Sequence, residues 1–288
     1  HGPVIDSGQH DDGRLRGGLK GHRQQKGHGP HRPDTGQDPD QGADEEFLSK
    51  LQGLIAQNPD VQEYTALLGD YYYNVGHWSE AERAVTRLLQ QDPENGFART
   101  TLAELNAIQG RHDEGIKLVE EELQRNPSNR DALYDLLSFT DMKGAGQEGV
   151  QRIKEIYRAN PGNPDVAIVA ADVALSEGNI EESRRIRQSA LIQNPNHPDL
   201  LAHIARDAFR QGKDQEAVEL AERSIQNAKD PSTTMTALDV IFESAVKLTD
   251  YTRAEQAVER MRQLNPDDPS IEDRERKLRE VRAPGSKG

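Results

Sequence analysis

Residues Gln62 to Asn95 read QEYTALLGDYYYNVGHWSEAERAVTRLLQQDPEN. Two short amphipathic stretches flank Gly76, and Pro93 closes the second. The same punctuation then returns every 34 residues: Gly76, Gly110, Gly144, Gly178 and Gly212 share one phase, and Pro59, Pro93, Pro127, Pro161 and Pro195 share another. A fixed period of this length defines a supersecondary unit that buries its apolar face only against its neighbours.

The residues explain the unit. Glycine between two helices accepts the left-handed C-cap conformation without a Cβ penalty. Proline past the second helix stops its propagation. Small residues recur where paired helices approach closely: Gly69, Ala103, Ala171 and Ala205 in first helices, Ala81, Gly115, Gly149, Ser183, Ala217 and Ala254 in second helices. Larger apolar residues fill the seam. These are Leu68, Leu102, Leu136, Ala170, Ile204 and Ile241, then Val85, Val119, Ile153 and Val258.

The 34-residue period, Leu68-Gly69 with Tyr72, Ala81 and the closing Pro93 resemble the tetratricopeptide repeat family over residues 44 to 266. The resemblance implies an all-α, right-handed superhelical solenoid and a protein or peptide partner. It leaves the particular function open, because the fold hosts many.

Three regions follow. Residues 1–43 form a Gly- and His-rich basic arm, 44–268 the solenoid, and 269–288 a capping helix and tail. Within the solenoid, 44–60 is a leading half-repeat. Full repeats run 62–95, 96–129, 130–163, 164–197, 198–231 and 235–268. Ser232 to Thr234 is a three-residue insertion that should change the stagger locally, and Thr249 replaces the turn glycine of repeat six. Ser270 and Asp273 resemble a capping box opening the last helix.

The arm holds 10 of the 24 glycines and no aromatic residue, so alone it buries too little surface to offset its ordering entropy. Residues 1–33 carry a formal charge of +3, which leaves −17 on the rest of a chain whose total is −14. At about 3.3 Å per residue the arm spans roughly 140 Å when fully extended. It therefore reaches along its own solenoid or onto a neighbouring subunit, and docking onto a neighbour would build a filament.

The acidic balance argues against nucleic acid as a partner. No apolar run reaches the roughly 18 residues of a membrane span. With no cysteine, disulfides, thiolate metal sites and cysteine nucleophiles are excluded. The absence of Cys and the start at His1 point to a periplasmic or extracellular, exported bacterial protein. No phosphate loop, nucleophile elbow or zinc-protease motif is present, so no enzyme is expected.

Ligand-facing positions of the family, carried onto the first helices, give Glu63, Asp70, Tyr73, Phe97, Glu104, Asp131, Tyr134, Asp141, Asp165, Asp172, Asp199, Phe209, Asp239 and Glu243. Of the 24 such positions ten are acidic and one, Arg206, is basic. Family members that grip a carboxylate terminus use Lys, Arg and Asn there, so that use is rejected. An acidic trough with aromatic platforms suits a basic or mixed basic-apolar segment, including this chain's own arm. No cofactor is required. A second class of reading places a metal, or the haem of another protein, on His1, His10, His22, His28 and His31, since exposed imidazoles ligate both.

Overall fold

The computed structural model describes residues 41–282. The arm up to residue 40, its five histidines and the tail from 283 lie outside the described residues. Fourteen α-helices and no strand occur among them. They are α1 (Gln41–Gln57), α2 (Gln62–Asn74), α3 (Trp78–Gln91), α4 (Gly96–Ile108), α5 (His112–Arg125), α6 (Arg130–Met142) and α7 (Gly146–Ala159), followed by α8 (Pro164–Ser176), α9 (Ile180–Gln193), α10 (Pro198–Arg210), α11 (Asp214–Asn227), α12 (Pro231–Lys247), α13 (Tyr251–Leu264) and α14 (Ser270–Arg282). This is the all-α helical-hairpin solenoid that the repeat implies. It divides into two compact units at Glu155 and Ile156, inside α7. The half-repeat helix begins at Gln41, three residues before the half-repeat boundary at 44.

The turn glycines take φ of 74° to 82°, the left-handed region. In the first hairpin, Gly76 N–H donates to the Tyr73 carbonyl and His77 N–H to the Tyr72 carbonyl. That pair of bonds is a Schellman motif and satisfies carbonyls the helix end would leave open. Thr249 holds the equivalent place with φ of 58°, and Asp250 N–H still donates to the Ala245 carbonyl. Hydrogen bonding thus imposes the turn on a β-branched residue that ordinarily avoids it.

The prolines work with a second device absent from the sequence reading. Asn95 accepts from Ala98 N–H at 2.9 Å, Asn129 from Ala132 N–H at 3.2 Å, and Asn163 from Val166 N–H at 3.2 Å. These 34-residue-spaced asparagines are N-caps of α4, α6 and α8. His197 Nδ1 takes the role in α10 and Asp230 in α12.

In unit 1 the core runs through Tyr73, Ala81, Val85, Leu88, Ala98 and Leu105, all buried. Close approach depends on missing side chains. A Cβ on Gly115 would lie 2.9 Å from the Ala103 carbonyl oxygen, and one on Gly149 would lie 2.0 Å from Thr140 Oγ1.

In unit 2 the core runs from Ala205 to Leu278, with Phe242 and Met261 at its centre. The insertion at Ser232–Thr234 does not become a loop. Pro231 sits in the first turn of α12, Asp230 caps it, and the added residues lengthen the helix to 17 residues against 13 in α10. Nearly one extra turn at the N-terminus leaves Ile241 and Ala245 in phase. At the far end Asp268 caps α14, accepting from Ser270 N–H at 2.9 Å and from Ser270 Oγ. The sequence assigns this cap to Ser270 with Asp273; Ser270 donates to Asp268 instead.

Candidate functional site

First helices carry the candidate residues, and the two units treat them differently. In unit 1, Glu63 and Asp70 on α2 and Asp141 on α6 are exposed. Phe97, at the start of α4, is 42% exposed. Glu104 on α4 and Asp131 and Tyr134 on α6 are half-buried. Tyr73 corrects the sequence reading: it is 7% exposed and meets Trp78 edge-on, with ring centroids 5.7 Å apart. It belongs to the hairpin core and offers no open platform.

In unit 2 the chain answers much of its own acid. Asp172 on α8 pairs at 2.5 Å with Arg187 of α9, and Asp207 of α10 pairs with the same guanidinium at 2.7 Å. Burial alone pushes the Arg187 pKa down, but Asp172 and Asp207 outweigh it and hold the pKa above its ordinary value. Asp199 accepts from Thr233 Oγ1. Lys247 Nζ lies 3.8 Å above the Phe209 ring. Asp239 pairs with Arg274, and Glu243 with Lys277 at 2.6 Å. Asp165 lies half-buried in the first turn of α8, where the helix dipole favours a carboxylate.

One buried ion pair, and the buried Arg187, lie outside the candidate set. Arg99 of α4 pairs with Glu122 of α5, and both side chains are almost fully enclosed. Asn129 Nδ2 donates to the second Glu122 oxygen at 3.1 Å, and Arg99 also donates to the Pro93 carbonyl. Repeat phase could have found them. Arg99 occupies the place of Leu133, Leu201 and Leu238 in other repeats, and Glu122 that of Leu88 and Met261. Arg187 stands where Val85, Val119, Ile153 and Val258 stand. A charge on an apolar seam position calls for an opposite charge from a neighbouring helix.

Among the described residues no group of three or more His, Asp or Glu is placed to hold a metal. No described helix is long and apolar enough to cross a membrane. A shallow dent of about 490 Å³ between α5, α6 and α7 exposes Ile116, but Arg152 and Lys143 on its rim already pair with Glu120 and Asp113.

The tetratricopeptide repeat family model matches residues 66–130 and 168–232, so those stretches are tetratricopeptide repeats. A tetratricopeptide repeat protein from Parabacteroides merdae is similar in structure: 18% identity, 80% of this chain and 90% of that one covered, TM-score 0.52. The Cut9–Hcn1 hetero-tetramer of the APC/C contains a chain that is 15% identical, with 81% of this chain and 46% of that one covered and a TM-score of 0.50. These likenesses are of fold. No curated protein sequence matches the chain. The fold supports a protein–protein interaction scaffold.

Proposed function

We propose that the chain is a non-enzymatic scaffold whose first-helix face binds a basic or mixed basic-apolar protein segment. The observation that carries this reading is the contrast between the units. Glu63, Asp70 and Asp141 of unit 1 are exposed carboxylates and Phe97 of the same unit is half-exposed, whereas Asp172, Asp239 and Glu243 of unit 2 already hold cations of the chain itself. Arginine and lysine of a partner can pair with such carboxylates and stack on the ring. Fluorescence anisotropy with a labelled peptide alternating Arg and Leu is expected to report binding that weakens with salt. Equal binding of the matching Glu-Leu peptide would contradict it.

The basic arm at residues 1–43 supplies one such segment within the chain, and we assign it to assembly in an exported, cysteine-free protein. The formal charge of +3 on its residues 1–33, against −17 on the remainder of the chain, supports that role. Deleting 1–43 is expected to reduce the oligomer size seen by light scattering; an unchanged size would end the assignment. A head-to-tail polymer is the weaker alternative. The outward residues of α14, Glu272, Arg276 and Arg279, are exposed and charged, and so offer nothing apolar to the half-exposed Phe47 and Leu54 of α1.

A further inference from the structure

The last helix of unit 2 buries little apolar surface. α14 buries only Ile271 and Leu278, whereas α8 buries eight residues. Area alone therefore fixes α14 weakly. Charge fills the gap. Arg274 pairs with Asp239 and Lys277 with Glu243, two carboxylates one turn apart on α12. Both cations also lie over the buried Phe242 ring, at 6.0 and 5.6 Å from its centroid. Arg262 of α13 meets Glu275, and Arg282 meets Glu255 of α13. Lys277 stands one 34-residue period after Glu243, so α14 fills the slot of a next first helix, with a cation where the preceding first helix has an acid.

We propose that α14 is a resident basic ligand of the acidic face of α12. It is held by screened ion pairs, and it yields Asp239 and Glu243 to a partner helix that presents cations at i and i+3. This rests on the basic-segment reading above and narrows it: in unit 2 the partner is a basic helix, and it must displace α14. Pairs with this degree of exposure are individually weak and salt-sensitive. These pairs can therefore open singly, while displacement of α14 also withdraws Ile271 and Leu278 from the Phe242 and Met261 core.

The test uses the full chain. Hydrogen exchange of amides 271–282 is expected to rise about ten-fold in Arg274→Glu/Lys277→Glu, with α12 and α13 unchanged. Adding Asp239→Lys/Glu243→Lys is expected to restore protection, which separates charge pairing from misfolding. A labelled peptide of residues 270–282 is expected to bind Arg274→Glu/Lys277→Glu at least ten-fold more tightly than the unmodified chain. Unchanged exchange in α14, no restoration on the reciprocal swap, or a loosened helix without gain in peptide affinity would each overturn the proposal. The readout involves only α12 and α14, so it is independent of Glu63, Asp70 and Asp141, on which the general reading is tested.

Discussion

Arg99 and Glu122 form an ion pair inside unit 1, with 3% and 5% of their side chains exposed. Neither group can turn to water when its partner is removed. Glu122→Ala should therefore cost about 3–5 kcal/mol of stability, because it strands a buried guanidinium. Replacing both, as Arg99→Leu/Glu122→Met, restores the residue types found at those phases in other repeats. That double variant should lie close to the parent or above it. Urea denaturation of the three chains checks the order; a double variant as unstable as Glu122→Ala would contradict it.

Thr249 offers the opposite case, a residue that works against its backbone. Its φ of 58° is the conformation for which the other turns use glycine. Thr249→Gly should stabilise the chain by roughly 1 kcal/mol, the lower end of the left-handed cost for an L-residue. The gain is reduced by glycine's larger unfolded entropy. A melting temperature that falls on substitution would refute the strain argument.

Gly149 tests which of two effects wins. In an exposed helix interior, glycine to alanine gains about 1 kcal/mol of propensity. Here the new methyl would lie 2.0 Å from Thr140 Oγ1. That hydroxyl donates to the Leu136 carbonyl at 2.7 Å. Overpacking costs about 1–3 kcal/mol. Gly149→Ala should be destabilising, and Gly149→Ala/Thr140→Ala should recover most of the loss in the same assay.

Asp268 gives the account a pH dependence. Burial pushes its pKa up, but hydrogen bonds from the Ser270 side chain and backbone, aided by Arg274, outweigh this and hold it below the usual carboxylate range. A depressed carboxylate pKa contributes stability that is present above the unfolded value, near 3.9, and is lost as pH falls through the folded one. Asp268→Ala should cost about 1 kcal/mol near neutral pH, as lost N-caps do. Exchange in α14 should differ between the two chains at pH 7 and converge towards pH 3. A difference that persists in acid would point to packing rather than capping.

The fold was legible because its cues are local and periodic. Gly76 and its phase-mates need one backbone conformation, and Pro93 and its phase-mates stop one helix each, so hairpin length and count followed from spacing. The asparagine caps at 95, 129 and 163 were equally periodic but hid behind the prolines. The candidate face was only half legible. Family positions located Asp172, Asp239 and Glu243 correctly on first helices, yet they say nothing about Arg187, Arg274 and Lys277, which neutralise them from other helices. Tyr73 misled for a related reason: an aromatic on a first helix reads as a platform, and only the approach of Trp78 shows that it is enclosed.

The central claim is that exposed carboxylates of unit 1 bind a basic segment. Isothermal titration calorimetry of the Arg-Leu peptide against Glu63→Gln/Asp70→Asn/Asp141→Asn tests it most directly. The account predicts an affinity at least about ten-fold below the unmodified chain and a shallower salt dependence. Equal affinity and equal salt dependence in the two chains would contradict it.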